Sequence, residues 1–191
     1  RDYKVTGVQT CALPIWLNDR LQLRSLQLTD ANELFALTDA NRSHLRRWLP
    51  WLDRTKTSAD TRTFIRNTLE QFADTDGIVV AICYDSSIVG VIGYNHIDWA
   101  NHVGYIGYWL SASHQGQGIM TSACRYLVDY SFATLILNRI VIMCATHNKR
   151  SRAIPERLGF RHEGTACEAE WLYDHFVDHE MYALLRRHWE F

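Results

Sequence analysis

Gln115-Gly116-Gln117-Gly118-Ile119-Met120-Thr121 is the stretch on which the reading of this chain turns. It follows a strand-like run, Val103 to Leu110. It opens a helix predicted from Gly116 to about Phe132, with Ile119, Cys124, Leu127, Val128 and Phe132 facing inward. Glycines let the backbone turn tightly and bring N–H groups close to a ligand. A helix N-terminus adds unpaired donors and a partial positive charge. Together these suit a diphosphate. The spacing is neither the dinucleotide fingerprint nor a Walker loop, because the Lys-Ser/Thr is missing. Taken alone, the loop reads equally well as a tight turn without a ligand.

Working outward, Ile140 to Ala145 is a dense apolar run that predicts a buried strand. Asn148 opens another helix, which stops at Gly159. Phe160 onward alternates, turns near Tyr173-Asp174-His175 and ends in a strand from Phe176 to Leu185. Upstream, Ile78 to Tyr84 and Ile88 to Ile97 are strand-like and joined by short breaks, which predicts antiparallel neighbours. Asp74-Thr75-Asp76-Gly77 predicts a turn. Ser58 or Asp60 caps a helix through about Phe72, and Thr29-Asp30 caps one carrying Leu34, Phe35 and Leu37. Leu21 to Leu26 is an opening strand. No internal repeat or linker divides the chain, so it predicts one α/β domain over residues 16–191.

Composition narrows the function. Of 191 residues, 47% are hydrophobic and 21% charged, enough apolar material for a buried core. Lys+Arg is 20 and Asp+Glu is 21, so no basic surplus supports nucleic-acid binding through phosphates. No run approaches the ~18 apolar residues of a membrane span. Five scattered cysteines without a Cys-x-x-Cys fit reduced thiols and a cytoplasmic location.

Residues 1–15, RDYKVTGVQTCALPI, fit none of this. Thr6, Gln9 and Thr10 break the apolar stretch, and no small-residue cleavage site follows, so it is a poor signal peptide. Val5 to Ile15 looks like a frame translation of a common short-read sequencing adapter. The expectation is a non-native, disordered leader, with native sequence beginning near Trp16.

Asn148-Lys149-Arg150-Ser151 and Leu158-Gly159-Phe160 complete the pattern. Singly, Asn148 is an N-cap and Ser151 a solvated hydroxyl. In combination, Gln115 to Thr121, Asn148 to Ser151 and Leu158 to Phe160 resemble the GNAT superfamily of acetyl-CoA-dependent N-acetyltransferases. Ile106-Gly107-Tyr108-Trp109-Leu110, Arg47-Trp48-Leu49-Pro50-Trp51 and Ile97-Asp98-Trp99 carry the resemblance further, to its RimJ/RimL-like, ribosomal-protein N-terminal group. It covers essentially Leu21 to Trp189.

The resemblance implies an α/β GNAT fold: a mixed, mostly antiparallel sheet of about seven strands flanked by helices, with two central strands splayed around CoA. It implies that Leu110 offers backbone groups to the acetyl carbonyl and the pantetheine arm. Gln115, Gly116, Gln117, Gly118, Ile119, Met120 and Thr121 would hold the diphosphate, and Asn148 the pantetheine. Ser151 would protonate the departing thiolate, and Glu170 would act as general base. Trp48, Trp51 and Trp99 fall in segments that border the acceptor groove, although aromatics there are also ordinary core residues. The implied partners are acetyl-CoA and a peptide or small-molecule amine acceptor, with a homodimer compatible. An α-amino group (pKa ~7.7–8.0) needs less help to lose its proton than lysine (~10.4), which favours a terminal amine.

Other signals weigh less. His175 and His179 would sit ~13 Å apart along a strand, too far to share a metal, so no metal is expected. Cys144 reads as a core cysteine. Arg42, Arg46 and Arg47 read as a solvated helix face or a lure for an acidic partner. Pro155, inside a helix, costs an N–H and should kink it. A CoA-binding module without turnover is the alternative from another class, and an acetyltransferase for an antibiotic or polyamine is a third.

A thermal melt of residues 16–191 tests the cofactor. At a hundredfold excess over its dissociation constant, acetyl-CoA adds ~2.7 kcal/mol. That raises the midpoint by roughly 5–10 °C, a rise that free adenine nucleotides do not reproduce. An unmoved midpoint would reduce the glycine loop to a turn.

Overall fold

The structure, a computed structural model, describes residues 14–73 and 78–190. Eight strands form one sheet: β1 (Ile15–Trp16), β2 (Leu21–Ser25), β3 (Val79–Tyr84), β4 (Ser87–Asp98), β5 (Val103–Leu110), β6 (Arg139–Ala145), β7 (Arg161–Leu172) and β8 (His175–Leu185). Their order across the sheet is β1-β2-β3-β4-β5-β6-β8-β7. Neighbours are antiparallel except β5 and β6, which run parallel. A parallel pair needs a long crossover, supplied by helix α4 (Ile119–Ala133).

The two faces of the sheet are covered separately. Helices α1 (Ala31–Ala40) and α3 (Ser58–Ala73) cover one, burying Leu34 and Ile65 against Ala81 and Val91. A four-residue helix α2 (Arg42–Leu45) follows α1. On the other face α4 and α5 (Lys149–Arg157) bury Leu127, Phe132 and Ile154 against Ile92 and Ile106. Even-numbered residues of β5 therefore point to α4 and α5, and odd-numbered ones to α1 and α3.

The structure adjusts several expectations. The strand beyond the expected seven is β1, where Ile15 pairs with Leu23, so a boundary drawn at Trp16 falls inside a strand. Helix α4 begins at Ile119, not Gly116, because Gly116 and Gly118 both take φ +77° and cannot be helical. Asp60 closes a box with Thr57 one turn earlier, accepting the Thr57 N–H at 2.9 Å while Thr57 Oγ1 accepts the Asp60 N–H at 3.3 Å. Asp30 is buried and spent on Arg24 (2.6 Å) and the Gln27 N–H (2.8 Å), rather than on capping α1. The turn at 74–77 and most of the leader lie outside the described residues.

Candidate active site

β5 and β6 pair only from Val103↔Arg139 to Ile106↔Ile142. Beyond that point Gly107–Leu110 and Met143–Ala145 share no ladder. The Ser111 N–H donates to Val89 O at 2.9 Å, on the β4 side. Strand alternation then turns the amides of Tyr108 and Leu110 the other way, into the gap beside β6. Leu110 thus presents backbone groups at the place where a thioester carbonyl is expected.

A cavity of about 940 Å³ opens at this gap. Its lining comes from both faces of the sheet: Trp48, Trp51 and Trp109 on one side, and Tyr108, Asn148 and Ser151 on the other. Cys144, Glu170 and His179 also reach it. Leu110 and Gln115–Thr121 are not in its wall. Gln117, Gly118 and Ile119 instead line a smaller hollow of about 310 Å³ with Asn18, Arg20 and Tyr84. Trp99 is not in the wall of this cavity. It follows β4 at Asp98, which pairs with Val103, so it lies at the far end of β5 from the gap.

The loop itself suits an anion. With Gly118 as N-cap, the N–H groups of Ile119, Met120 and Thr121 begin the helix without intrahelical acceptors. A Cβ at Gly116 or Gly118 would meet nothing within 4 Å, so glycine is needed there for its positive φ, not for space. Gln115 faces the other way. Its Oε1 accepts from Arg150, so its Nε2 donates to His44 Nε2 at 2.8 Å, which requires a neutral imidazole. Burial, with Arg150 and Arg47 nearby, holds the His44 pKa below its ordinary value.

Asn148 is the N-cap of α5, its Oδ1 accepting the Ser151 N–H at 3.2 Å. It caps the helix and also lines the cavity. Pro155 now has a physical account. It has no N–H for the carbonyl of residue 151, four positions earlier. The Tyr108 hydroxyl fills that vacancy, donating to Ser151 O at 3.1 Å, while Ser151 Oγ donates back to Tyr108 Oη at 3.4 Å. Burial pushes the Tyr108 pKa well above its ordinary value, so the hydroxyl keeps its proton. Burial also raises the Cys144 thiol to about 11, which favours its protonated form.

The segment that carries Trp48 and Trp51 is braced by arginines. Arg42 donates to Leu52 O (2.7 Å) and Thr55 O (2.8 Å), and Arg46 pairs with Asp53 (2.9 Å). Tyr173 donates to Leu49 O beneath Arg46, whose guanidinium lies 3.9 Å above the ring. Arg42 and Arg46 therefore shape the segment that carries Trp48 and Trp51. Trp51 meets Trp109 at 6.3 Å between ring centroids.

Two site residues went unread in the sequence. Tyr108 was signalled only by Pro155, whose missing N–H demands another donor. His179 Nε2 lies 3.5 Å from Glu170 Oε2, a pairing no spacing rule reveals because it depends on an irregular register. Among the described residues no three His, Cys, Asp or Glu side chains form a metal-holding set.

The proline account predicts a thermodynamic cycle. Tyr108→Phe leaves a carbonyl unsatisfied and costs ~1–3 kcal/mol in urea unfolding. Pro155→Ala returns the missing N–H, so the double variant recovers most of that loss. Additive losses would contradict the account.

The chain matches the acetyltransferase (GNAT) domain family over residues 20–161. It is 39% identical to YdaF of Bacillus subtilis (strain 168), named by inference as a ribosomal N-acetyltransferase, over 91% of this chain and 96% of that protein. It is 31% identical to the ribosomal-protein-serine acetyltransferase of Escherichia coli (strain K12), over 88% of this chain and 94% of that protein. Among solved structures it resembles the microcin C7 self-immunity acetyltransferase MccE in complex with acetyl-CoA and AMP. That likeness has a TM-score of 0.87 and 32% identity, covering 90% of this chain and 96% of that one. By sequence and by architecture alike, the chain belongs to the GNAT acetyltransferases.

Proposed function

We propose that this enzyme moves an acetyl group from acetyl-CoA to the α-amino group of a polypeptide of ribosomal-protein type, in the cytoplasm. The observation that carries the reading is the single cavity lined from both faces of the sheet where β5 and β6 part. Such a cavity lets donor and acceptor meet from opposite sides. Acetyl-CoA supplies an activated thioester carbonyl. The diphosphate is held by the N–H groups at the start of α4, and the pantetheine by Asn148 and the free edge of β5.

Glu170 takes the proton from the amine as it attacks, a modest task for a terminal amine with pKa ~7.7–8.0. The Leu110 N–H stabilises the charge that develops on the carbonyl oxygen. Ser151 Oγ gives its own proton to the departing thiolate and regains one from water, while Glu170 releases the amine's proton to solvent. A thiolate leaves readily, so this last role gives only modest help. Trp48 and Trp51 form the wall along which the acceptor lies. A second reading, a small-molecule amine, is favoured by the aromatic surround of Trp48, Trp51 and Trp109 and by the likeness to MccE.

Steady-state thiol release tests the roles. Glu170→Gln lowers kcat by roughly 10²–10⁴-fold, with the KM for acetyl-CoA within about twofold. Ser151→Ala lowers it by about tenfold or less. Mass spectrometry of ribosomal-protein N-terminal peptides, run beside small amines, locates the acetyl group. An unchanged kcat in Glu170→Gln would defeat the base assignment. CoA binding by the wild-type protein without thiol release toward any acceptor would favour the non-catalytic alternative.

A further inference from the structure

β7 and β8 pair in three registers, and the second shift falls between Ala166 opposite His179 and Glu170 opposite Val177. Four steps along β7 there span two along β8, which makes a bulge over residues 167–169. Had the register of Ala166 continued, Glu170 would stand opposite His175, at the hairpin turn. The bulge draws it back by two residues, or about 7 Å, toward the gap between β5 and β6. Glu170 consequently reaches the cavity wall, 3.5 Å from His179.

The bulge needs support. Glu168 takes φ +49°, a left-handed conformation that side-chain-bearing residues avoid. Its N–H is pointed away from the ladder, and Asp178 Oδ1 accepts it at 2.7 Å. The Asp178 carbonyl accepts the Thr146 N–H at 3.0 Å and the Thr146 hydroxyl at 3.3 Å. Thr146 begins the turn that leads to Asn148 and Ser151. One residue therefore ties the strand that carries Glu170 to the turn that carries the other side of the site.

We propose that Asp178 is a positioning residue for the transfer reaction: by clamping the β7 bulge it sets Glu170 at the cavity. This rests on the assignment of Glu170 as the base. The account predicts that Asp178→Ala lowers kcat roughly a hundredfold, as a displacement of reacting groups by an ångström or more does. Acetyl-CoA KM stays within about twofold, because the diphosphate loop is not involved. Combining Asp178→Ala with Glu170→Gln costs no more than Glu170→Gln alone, since both remove one function. Asp178→Asn keeps an acceptor and retains kcat within about threefold. Glu168→Gly in the Asp178→Ala background restores most of the loss, because glycine takes positive φ without strain. The split between a lowered kcat and an unmoved KM, together with the Glu170–His179 separation, is what a merely structural role would not produce. If Asp178→Ala does not fold, Asp178→Ser, too short to reach the Glu168 N–H, is read identically.

The experiment pairs these kinetics with a crystal structure of the Asp178 variant. A Glu170 carboxylate moved away from His179, with lowered kcat, is the expected result. A Glu170 still beside His179 overturns the proposal. A wild-type kcat in Glu170→Gln defeats the base assignment instead, and the Glu170–His179 separation still decides what Asp178 does.

Discussion

The parting of β5 from β6 after Ile106 and Ile142 is the constraint on which the rest of this structure depends. A central strand pair normally satisfies every backbone N–H and C=O by pairing. Here the ladder stops in the middle of the sheet, and the groups beyond it face a cavity. That arrangement is tolerable because each face is covered independently, α1 and α3 on one side and α4 and α5 on the other. The sheet is held together around the gap rather than across it, through the Val103–Ile106 pairing below it and the β6–β8 ladder beside it.

The same principle recurs around the cavity: a regular hydrogen bond is withdrawn, and a side chain or an expected ligand replaces it. Pro155 withdraws a helix bond, and Tyr108 supplies the substitute at Ser151. The β7 bulge withdraws ladder bonds, and Asp178 takes the Glu168 N–H. The first turn of α4 leaves N–H groups for an anion after two left-handed glycines. Local rules hold beside the same cavity too, as in the Thr57–Asp60 capping box, whose Asp60 lies in its wall.

Much of the fold was legible because the periodicities are plain. The apolar run Ile140–Ala145, the short break at Asp85-Ser86-Ser87 and the glycine loop lead directly to strand, hairpin and helix start. Asn148, Ser151 and Glu170 were legible through resemblance, and the structure lines one cavity with them. What escaped the sequence depends on register or on distance through space. The β7 slip cannot be read from a stretch of small and polar residues such as Gly164-Thr165-Ala166-Cys167, and with it went the His179–Glu170 pairing. That Trp99 lies away from the gap was not legible, because an aromatic at a strand end does not say which end of the sheet it occupies. Arg46 is exposed as read, but its pairing with Asp53 and the bond of Arg42 to Leu52 O were not legible, because those acceptors lie in a segment whose path no local pattern dictates.

The central claim is that the gap between β5 and β6 is where the acetyl donor lies. A crystal structure of the complex with acetyl-CoA tests it most directly. The account predicts the pantetheine between Gly107–Leu110 and Met143–Ala145, the diphosphate on the N–H groups of Ile119–Thr121, and the thioester within reach of Ser151 and the Leu110 amide. A ligand bound elsewhere, or a β5–β6 ladder that continues unbroken past Ile106 in the complex, would contradict it.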